Sequence, residues 1–245
     1  MIVRGLKDFV KRSAARVGVD IRSSKHTEAA ILGSLLRRLQ PISVLDVGAN
    51  VGQYVQRLRA AGFRGTVVSF EALDDAHSML MQAAHADPDW IVAPRAAVGS
   101  RAGHVDINVA ANAVSSSVLP LTKLLQEAAP AVAYVGQQRI PCVRLDALTG
   151  LLPGGDLFLK VDTQGYELEV LRGASGLLPR ITAIQLELSL IPIYAGAPAM
   201  AEMLQYLYTC GYELFQFVPG LRDERDGRLL QGEGFFLRRS APSAN

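Results

Sequence analysis

The sequence predicts an α/β protein: a mostly parallel β-sheet with helices on both faces, an antiparallel strand pair at one edge, and a helical N-terminal extension. Three observations favour this fold. From residue 42, short β-branched runs alternate with helical segments, which is typical of parallel sheets. A glycine-rich turn follows the first of these strands. The last two strand-like runs, 212–218 and 234–238, are joined by a polar loop and not by a helix.

Composition and charge exclude several classes of protein. The 245 residues are 49% hydrophobic and 20% charged, which is typical of a folded chain with a sizeable core. The net charge is only +2 and no basic stripe crosses the domain, so we expect no nucleic-acid binding. The two cysteines have no metal-binding spacing. No uncharged apolar stretch reaches the roughly 18 residues of a membrane span. We therefore expect a cytoplasmic protein with reduced cysteines.

Residues 1–40 are predicted to form the helical extension. Apolar residues recur at three- and four-residue steps over 3–17, with basic residues between them. Two interpretations stay open for this segment. It is either a basic amphipathic helix on an anionic membrane surface, or a helix packed on the domain with its charged face in water. A second helix is predicted from Thr27 to Leu39, ended by Pro41.

Strands and helices then alternate along the first half of the domain. Strands are predicted at 42–47 and 66–70, with another near 90–98. Helices are predicted between them at 53–61 and 74–85. Right-handed crossovers would place these helices on the faces of a parallel sheet.

The middle of the chain, residues 99–145, has a weaker pattern. An exposed strand is predicted at 103–109 and a helix at 122–129. A further strand is predicted at 138–145, where Pro141 indicates an edge position or a break.

The alternation returns in the last third of the chain. The predicted elements are strands at 157–161 and 181–188, helices at 166–173 and 199–210, and the antiparallel pair at 212–218 and 234–238. No linker or internal repeat interrupts this pattern, so we expect one domain over 41–240 and a short tail at 241–245.

The turn after the first strand carries the strongest functional signal. Residues 44–52 read Val-Leu-Asp-Val-Gly-Ala-Asn-Val-Gly, so a strand runs into a glycine-rich turn that opens a helix. Gly48 would let the backbone approach a ligand, and Gly52 would allow close packing of helix on sheet. In open α/β sheets, ligands bind beyond the carboxyl ends of the strands.

The spacing around this turn favours a nucleoside ligand without phosphates. The pattern Gly48-x-Asn50-x-Gly52 lacks the middle glycine of a dinucleotide fingerprint. The Asp46 carboxylate would repel a pyrophosphate but attract an amino group, and S-adenosylmethionine has an amino group and no phosphate. Glu71 follows the last glycine by 19 residues, where a carboxylate accepts both ribose hydroxyls. The alternative is a plain turn with two surface acids.

Six short segments occur in an order and spacing typical of one protein family. They are residues 44–52, Ser-Phe-Glu-Ala at 69–72, Ala-Ala-Val-Gly at 96–99, Ser-Ser-Ser-Val-Leu at 115–119, Arg-Leu-Asp at 144–146 and Lys-Val-Asp-Thr-Gln-Gly-Tyr-Glu at 160–167. On these segments the chain resembles the FkbM family of S-adenosylmethionine-dependent O-methyltransferases. The resemblance covers residues 42–238 and implies the family's Rossmann-like sheet of seven strands.

The resemblance implies cofactor contacts for nine residues. Asp46 would orient the amino group of S-adenosylmethionine, Glu71 would bind the ribose, and Asp162 would face the sulfur and the substrate. The other six would line the methionine side or border the ribose and adenine: Gly48, Asn50, Gly52, Ala72, Ala97 and Val98. Ala72 and Gln164 depart from the family pattern, which has proline and glutamate at these two positions, so no carboxylate is implied at Gln164.

Methyl transfer to a hydroxyl requires a base within hydrogen-bond reach of that hydroxyl. Asp162 is the first candidate, with cofactor positioning as its alternative role, and Glu187 is the second. Asp162, Glu167 and Glu187 are alternatively predicted to hold a divalent cation that acidifies the hydroxyl. We expect the acceptor to be a sugar, a glycolipid or a polyketide-type small molecule.

Two other functions stay open from the sequence. The first is an NAD(P)-dependent oxidoreductase or epimerase on a similar sheet, against which the missing middle glycine argues. The second is a protein that binds S-adenosylmethionine without catalysing a reaction. The sequence does not identify the acceptor or the oligomeric state.

Overall fold

The structure, a computed structural model, describes residues 27–41, 43–112 and 114–239. The helix predicted over 3–17 and the tail at 241–245 lie outside the described residues. The described residues form six α-helices, numbered here in chain order: α1 (Glu28–Leu39), α2 (Gln53–Ala60), α3 (Asp74–Ala84), α4 (Lys123–Ala128), α5 (Glu167–Gly173) and α6 (Met200–Thr209).

Ten β-strands of the described residues form two sheets. The larger sheet contains β1 (Ser43–Val47), β2 (Thr66–Phe70), β3 (Trp90–Val92), β7 (Leu157–Val161), β8 (Ile181–Ser189), β9 (Tyr212–Pro219) and β10 (Gln231–Arg238). The smaller sheet contains β4 (Ala97–Val98), β5 (Gly103–Ala110) and β6 (Tyr134–Val143).

The larger sheet has the strand order β3-β2-β1-β7-β8-β10-β9. The first five strands of this order are parallel, and β10 runs antiparallel to both of its neighbours. Every residue of β1 and β7 is buried, as expected for central strands covered on both faces. The predicted α/β fold, with seven mostly parallel strands and an antiparallel edge pair, is confirmed.

The single strand predicted near 90–98 is wrong, because two strands of different sheets occupy that segment. β3 pairs with β2, whereas β4 pairs with β6. Pro94 stands between them and has no N–H to continue the ladder of the larger sheet. Pro141 neither breaks β6 nor places it at an edge, since β6 is the central strand of the smaller sheet. Pro141 pairs with His104 of β5, and the pairing between β4 and β6 begins only at the next residue, Cys142.

Two hydrophobic clusters cover the two faces of the larger sheet. Val44 and Leu45 fall into different clusters because successive side chains of a strand point to opposite faces. The buried stripe of α1 packs into the cluster that contains Val44. Among the described residues, no helix has both the length and the apolar character needed to cross a membrane.

The chain changes direction across the larger sheet next to β1. It proceeds from β1 to β2 and β3 on one side, and later to β7 and β8 on the other side. The connections after β1 and β7 therefore diverge and leave a crevice beyond the carboxyl ends of these strands. Residues of β4 and β5 line this crevice, so the smaller sheet forms one of its walls.

We expect Gly52→Ala to destabilise the fold by more than the cost of placing an alanine in a left-handed backbone conformation. Gly52 has a φ of +90°, and a Cβ there would lie 2.4 Å from the Trp90 ring. Gly62 has a φ of +92°, but a Cβ there would meet nothing within 4 Å. Gly62→Ala therefore measures the conformational cost alone, roughly 1–2 kcal/mol.

Gly52→Ala should lower the free energy of unfolding by a further ~1–3 kcal/mol, because the ring must move. Urea unfolding followed by circular dichroism compares the two variants. Equal losses in both would contradict the close packing of Gly52 on Trp90.

Candidate functional site

A cleft lies at the carboxyl ends of β1, β2 and β7. It contains about 740 Å³ of space, a volume that includes the open solvent at its mouth. Seven of the predicted cofactor residues line it together: Gly48, Asn50, Glu71, Ala72, Ala97, Val98 and Asp162. Asp46, Gly52 and Glu187 do not line the cleft.

The glycine turn approaches the end of β7 very closely. Gly48 has a φ of +76°, and a Cβ there would lie 1.8 Å from the main-chain oxygen of Asp162. The N–H groups of Gly48 and Ala49 both donate to the Phe70 carbonyl at 3.0 Å, which fixes the turn against the end of β2. Glycine at position 48 thus lets the backbones meet at the floor of the cleft.

Lys160 lies beneath that floor, and its ammonium group is almost completely buried. Its side chain is 8% exposed, and Nζ lies 3.2 Å from Asp46 Oδ1 and 3.5 Å from Asp162 Oδ2. Nζ also donates to the Gly48 carbonyl at 3.1 Å. Burial by itself lowers the pKa of Lys160, but the negative charges of Asp46, Asp162 and Glu233 outweigh burial and raise it. Lys160 therefore stays protonated.

Asp46 is the wholly buried partner of this lysine. Its side chain is 0% exposed, and its second oxygen accepts the Ser69 hydroxyl at 3.3 Å. The structure thus places Asp46 one layer below the cleft surface. Its contact with the amino group of a cofactor stays a prediction.

Glu71 joins the end of β2 to the glycine turn. Its Oε2 accepts the Asn50 N–H at 2.8 Å, and its Oε1 accepts the N–H groups of Ala72 and Leu73 at 2.9 and 2.8 Å. Burial raises the pKa of Glu71 although these three hydrogen bonds favour the ionised form. These three hydrogen bonds hold the Glu71 carboxylate in one orientation at the cleft.

The two ends of the cleft differ in polarity. Apolar side chains from β2, the segment between β2 and α3, α3 itself and the smaller sheet form one end: Phe70, Ala72, Leu73, Ala76, Val98 and Ile107. The other end is polar and is formed by Asp162, Thr163, Gln164 and Ser117. Among the described residues that line the cleft, none is Lys, Arg or His.

The loop after β7 is closed by Glu167. Its Oε1 accepts the N–H groups of Thr163 and Gly165, both at 3.0 Å. Burial raises its pKa to about 7 despite these bonds. The prediction that Asp162, Glu167 and Glu187 jointly hold a divalent cation is therefore wrong, because Glu167 is turned into its own loop. Across 27–41, 43–112 and 114–239, no three His, Cys, Asp or Glu side chains come together as a metal site.

Gln164 connects the two candidate bases. Its Nε2 donates to Asp162 Oδ1 at 2.7 Å and to Glu187 Oε2 at 3.3 Å. Burial raises the pKa of Glu187 well above its usual range, and the charges of Asp162, Glu167 and Glu233 add to this effect. Asp162 faces the cleft with 46% of its side chain exposed, whereas Glu187 stands behind it.

A family model described as the methyltransferase FkbM domain matches residues 46–214. The chain belongs to the FkbM methyltransferase family. Membership of this methyltransferase family implies S-adenosylmethionine as the cofactor. No curated protein matches it in sequence.

Solved structures resemble this FkbM chain at low identity. Cofactor-bound Rv0187 from MTB has a TM-score of 0.50 and 16% identity, over 90% of this chain and 83% of that one. A precorrin-6y C5,15-methyltransferase from Geobacter metallireducens GS-15 has a TM-score of 0.47 and 12% identity, over 90% and 94% of the two chains. A ribosomal protein L11 methylase from Lactobacillus delbrueckii subsp. bulgaricus has a TM-score of 0.43 and 10% identity, over 89% of this chain and 81% of that one. These likenesses concern the fold alone.

The contacts of several site residues in this FkbM chain could not be predicted from the sequence. The alternation along β7 puts Lys160 on the same strand face as Asp162, but the depth of its ammonium depends on Asp46 of the neighbouring strand. Tyr194 reaches Gln164 from the segment after β8. Ser117 donates to the Gln164 carbonyl at 2.6 Å. Only the serine run at 115–117 gave a sequence signal for the last contact.

We expect Lys160→Met to destabilise the protein by ~3–5 kcal/mol, because it leaves the Asp46 carboxylate buried without a counter-charge. The matched control is Arg57→Met, which removes an ion pair to Glu28 whose side chains are 51% and 32% exposed. That exposed pair should contribute less than about 1 kcal/mol. Urea unfolding at neutral pH measures both.

Adding Asp46→Asn to Lys160→Met should restore part of the lost stability, since it removes the stranded charge. A double variant no more stable than the single one would contradict this account of Lys160.

Proposed function

We propose that this protein transfers a methyl group from S-adenosylmethionine to a hydroxyl of a sugar, a glycolipid or a polyketide-type small molecule. One observation carries the proposal: the cleft has a fixed carboxylate, Glu71, on one side and an exposed carboxylate, Asp162, at its polar end. The first suits the ribose of a nucleoside, and the second suits an acceptor hydroxyl.

The residues of the cleft fit the methyl donor. Glu71 would accept hydrogen bonds from the ribose hydroxyls, and the glycine turn would let the backbone approach the methionine portion. The apolar end beside Ala97 and Val98 would enclose the adenine. When bound, S-adenosylmethionine supplies an electrophilic methyl group.

An NAD(P)-dependent reaction fits the same cleft poorly. A pyrophosphate requires cationic side chains or a free helix N-terminus. The described cleft lining contains no Lys, Arg or His, and Glu71 already occupies the Asn50 N–H of the glycine turn. Gly52, the last glycine of the pattern, packs on Trp90 and not against the cleft.

Asp162 is the residue we assign as the proton acceptor. It lines the cleft, and its Oδ1 accepts the Gln164 amide while Lys160 stands 3.5 Å from Oδ2. The ammonium beneath it and the amide beside it hold this carboxylate at the cleft surface, where a general base has to stand. Removing the proton leaves more negative charge on the hydroxyl oxygen, which makes it a stronger nucleophile.

The nature of the polar end supports a hydroxylated acceptor. The side chains there are a carboxylate, an amide and hydroxyls, from Asp162, Gln164, Thr163 and Ser117. Such groups match the alternating donors and acceptors of a polyol. Without a cationic side chain among the described lining residues, the cleft offers no partner for an acidic acceptor.

We expect Glu71→Gln to weaken S-adenosylmethionine binding by about tenfold to a hundredfold, because the ribose loses a charged acceptor. Isothermal titration calorimetry with S-adenosylmethionine and its demethylated product measures the effect. Glu202→Gln, on the exposed first turn of α6, is the control and should bind as the wild type does. A wild type that binds neither compound, or that binds NADH in their place, would overturn the proposed donor.

We expect Asp162→Asn to retain donor binding within a fewfold but to lower methyl transfer by at least ~100-fold. The assay incubates the full chain with deuteromethyl S-adenosylmethionine and panels of glycosides, glycolipids and polyketide-type alcohols, and detects the labelled ether by mass spectrometry. If Asp162→Asn turns over acceptor like the wild type, Asp162 is not the base. A wild type that binds the donor but methylates none of the panel would instead favour a non-catalytic binding protein.

A further inference from the structure

The side chain of Gln164 hydrogen-bonds to three other side chains. One Nε2 donates to two carboxylates, Asp162 at 2.7 Å and Glu187 at 3.3 Å. Its Oε1 accepts the Tyr194 hydroxyl at 2.6 Å. A side-chain amide has two donors on one atom and an acceptor on the other, and every kind of group is used here. The Tyr194 hydroxyl fixes which end of the amide faces the carboxylates.

The backbone of Gln164 is held in a conformation that this residue type rarely adopts. Its φ is +54°, the left-handed region that favours glycine. The Ser117 hydroxyl secures the Gln164 carbonyl, and Gly165 packs so closely that a Cβ there would lie 2.9 Å from Tyr194. Strained residues of this kind persist where the surroundings fix them, and they cluster at functional sites.

We propose that Gln164 is a positioning residue for the proposed methyl transfer: its amide ties Asp162 to Glu187, so that the two carboxylates act as one proton-accepting pair with Asp162 facing the acceptor. This inference rests on the proposed function. In the step itself, the acceptor oxygen keeps the electron pair of its O–H bond, and the proton passes to an Asp162 carboxylate oxygen.

Asp162 and Glu187 differ in exposure, and this gives them different roles in the pair. Asp162 is the exposed member and lines the cleft, whereas Glu187 is mostly buried behind Gln164 and also accepts the Gln231 amide at 3.0 Å. The raised pKa of Glu187, caused by burial and by its acidic neighbours, means that Glu187 holds a proton at a higher pH than an ordinary glutamate. Neighbouring carboxylates whose environments differ divide into a proton holder and a base.

The charged and titratable groups that face this pair come from several elements. They are Lys160 on β7, Glu167 at the start of α5, Glu233 on β10 and Tyr194 after β8. Glu167 and Glu233 add negative charge when they are ionised, whereas burial raises the pKa of Tyr194, so its hydroxyl stays neutral. Lys160 is the cation among the four, and it lowers the pKa of Glu187. A glutamate at position 164 would add a further negative charge between Asp162 and Glu187.

The test is a carboxyl ¹³C NMR titration of the full chain, labelled at the side-chain carboxyl carbons of Asp and Glu. Asp162→Asn and Glu187→Gln assign the two signals. In Gln164→Leu both titrations should move to higher pH, because each carboxylate loses a hydrogen bond that favours its ionised form. The matched control is Gln231→Leu, which removes a bond to Glu187 and one to Ser189 but none to Asp162, and should move the Glu187 titration further than the Asp162 titration.

A Gln164→Leu titration that leaves Asp162 unchanged, or that matches Gln231→Leu, overturns the proposed pair. If Gln164→Leu does not fold, Tyr194→Phe replaces it, since the loss of the hydroxyl frees the amide to rotate. Tyr194→Phe should move both titrations in the same direction by a smaller amount, and no movement of either overturns the proposal.

Calorimetry with S-adenosylhomocysteine on the same samples separates the two proposals. A wild type that does not bind it overturns the proposed function, whatever the titrations give. A wild type that binds it, together with unmoved titrations in the variants, overturns only the role of Gln164.

Discussion

A buried lysine sets the positions of the three segments that form the cleft. The Lys160 ammonium has Asp46 of β1, the carbonyl of Gly48 and the carboxylate of Asp162 as partners. A charge this far from water is tolerated only where counter-charges and hydrogen-bond acceptors surround it. Because those partners belong to the first strand, the glycine turn and the end of β7, satisfying one ammonium fixes the turn and the candidate base relative to each other. The cleft therefore depends on electrostatics as well as on hydrophobic packing.

The two sides of the cleft around this lysine are held by different kinds of contact. On the side of the glycine turn, Glu71 and Gly48 are held by backbone hydrogen bonds and by a close backbone approach. At the polar end of the cleft, contacts between side chains centre on Gln164.

Much of the fold could be predicted because it depends on local patterns. The alternation of β-branched runs and helices, and the turn at Gly48, lie within single stretches of the chain. The predictions that were wrong concern contacts that only the folded chain reveals. The strand near 90–98 divides because the second half pairs with β6, more than 40 residues later. The predicted cation site is absent from the described residues because Glu167 finds donors in its own loop, which only the folded loop provides.

The sequence by itself determined the order of the elements, the glycine turn at the end of the first strand and the carboxylates that follow the strands. Those features arise from the period of hydrophobic side chains and from the backbone freedom of glycine, both of which act between near neighbours. Only the tertiary structure decided that Asp46 pairs with Lys160 below the cleft and that Gln164 joins Asp162 to Glu187. Whether a polar side chain meets a ligand or a buried counter-charge depends on which strands lie side by side, and sequence spacing does not specify that.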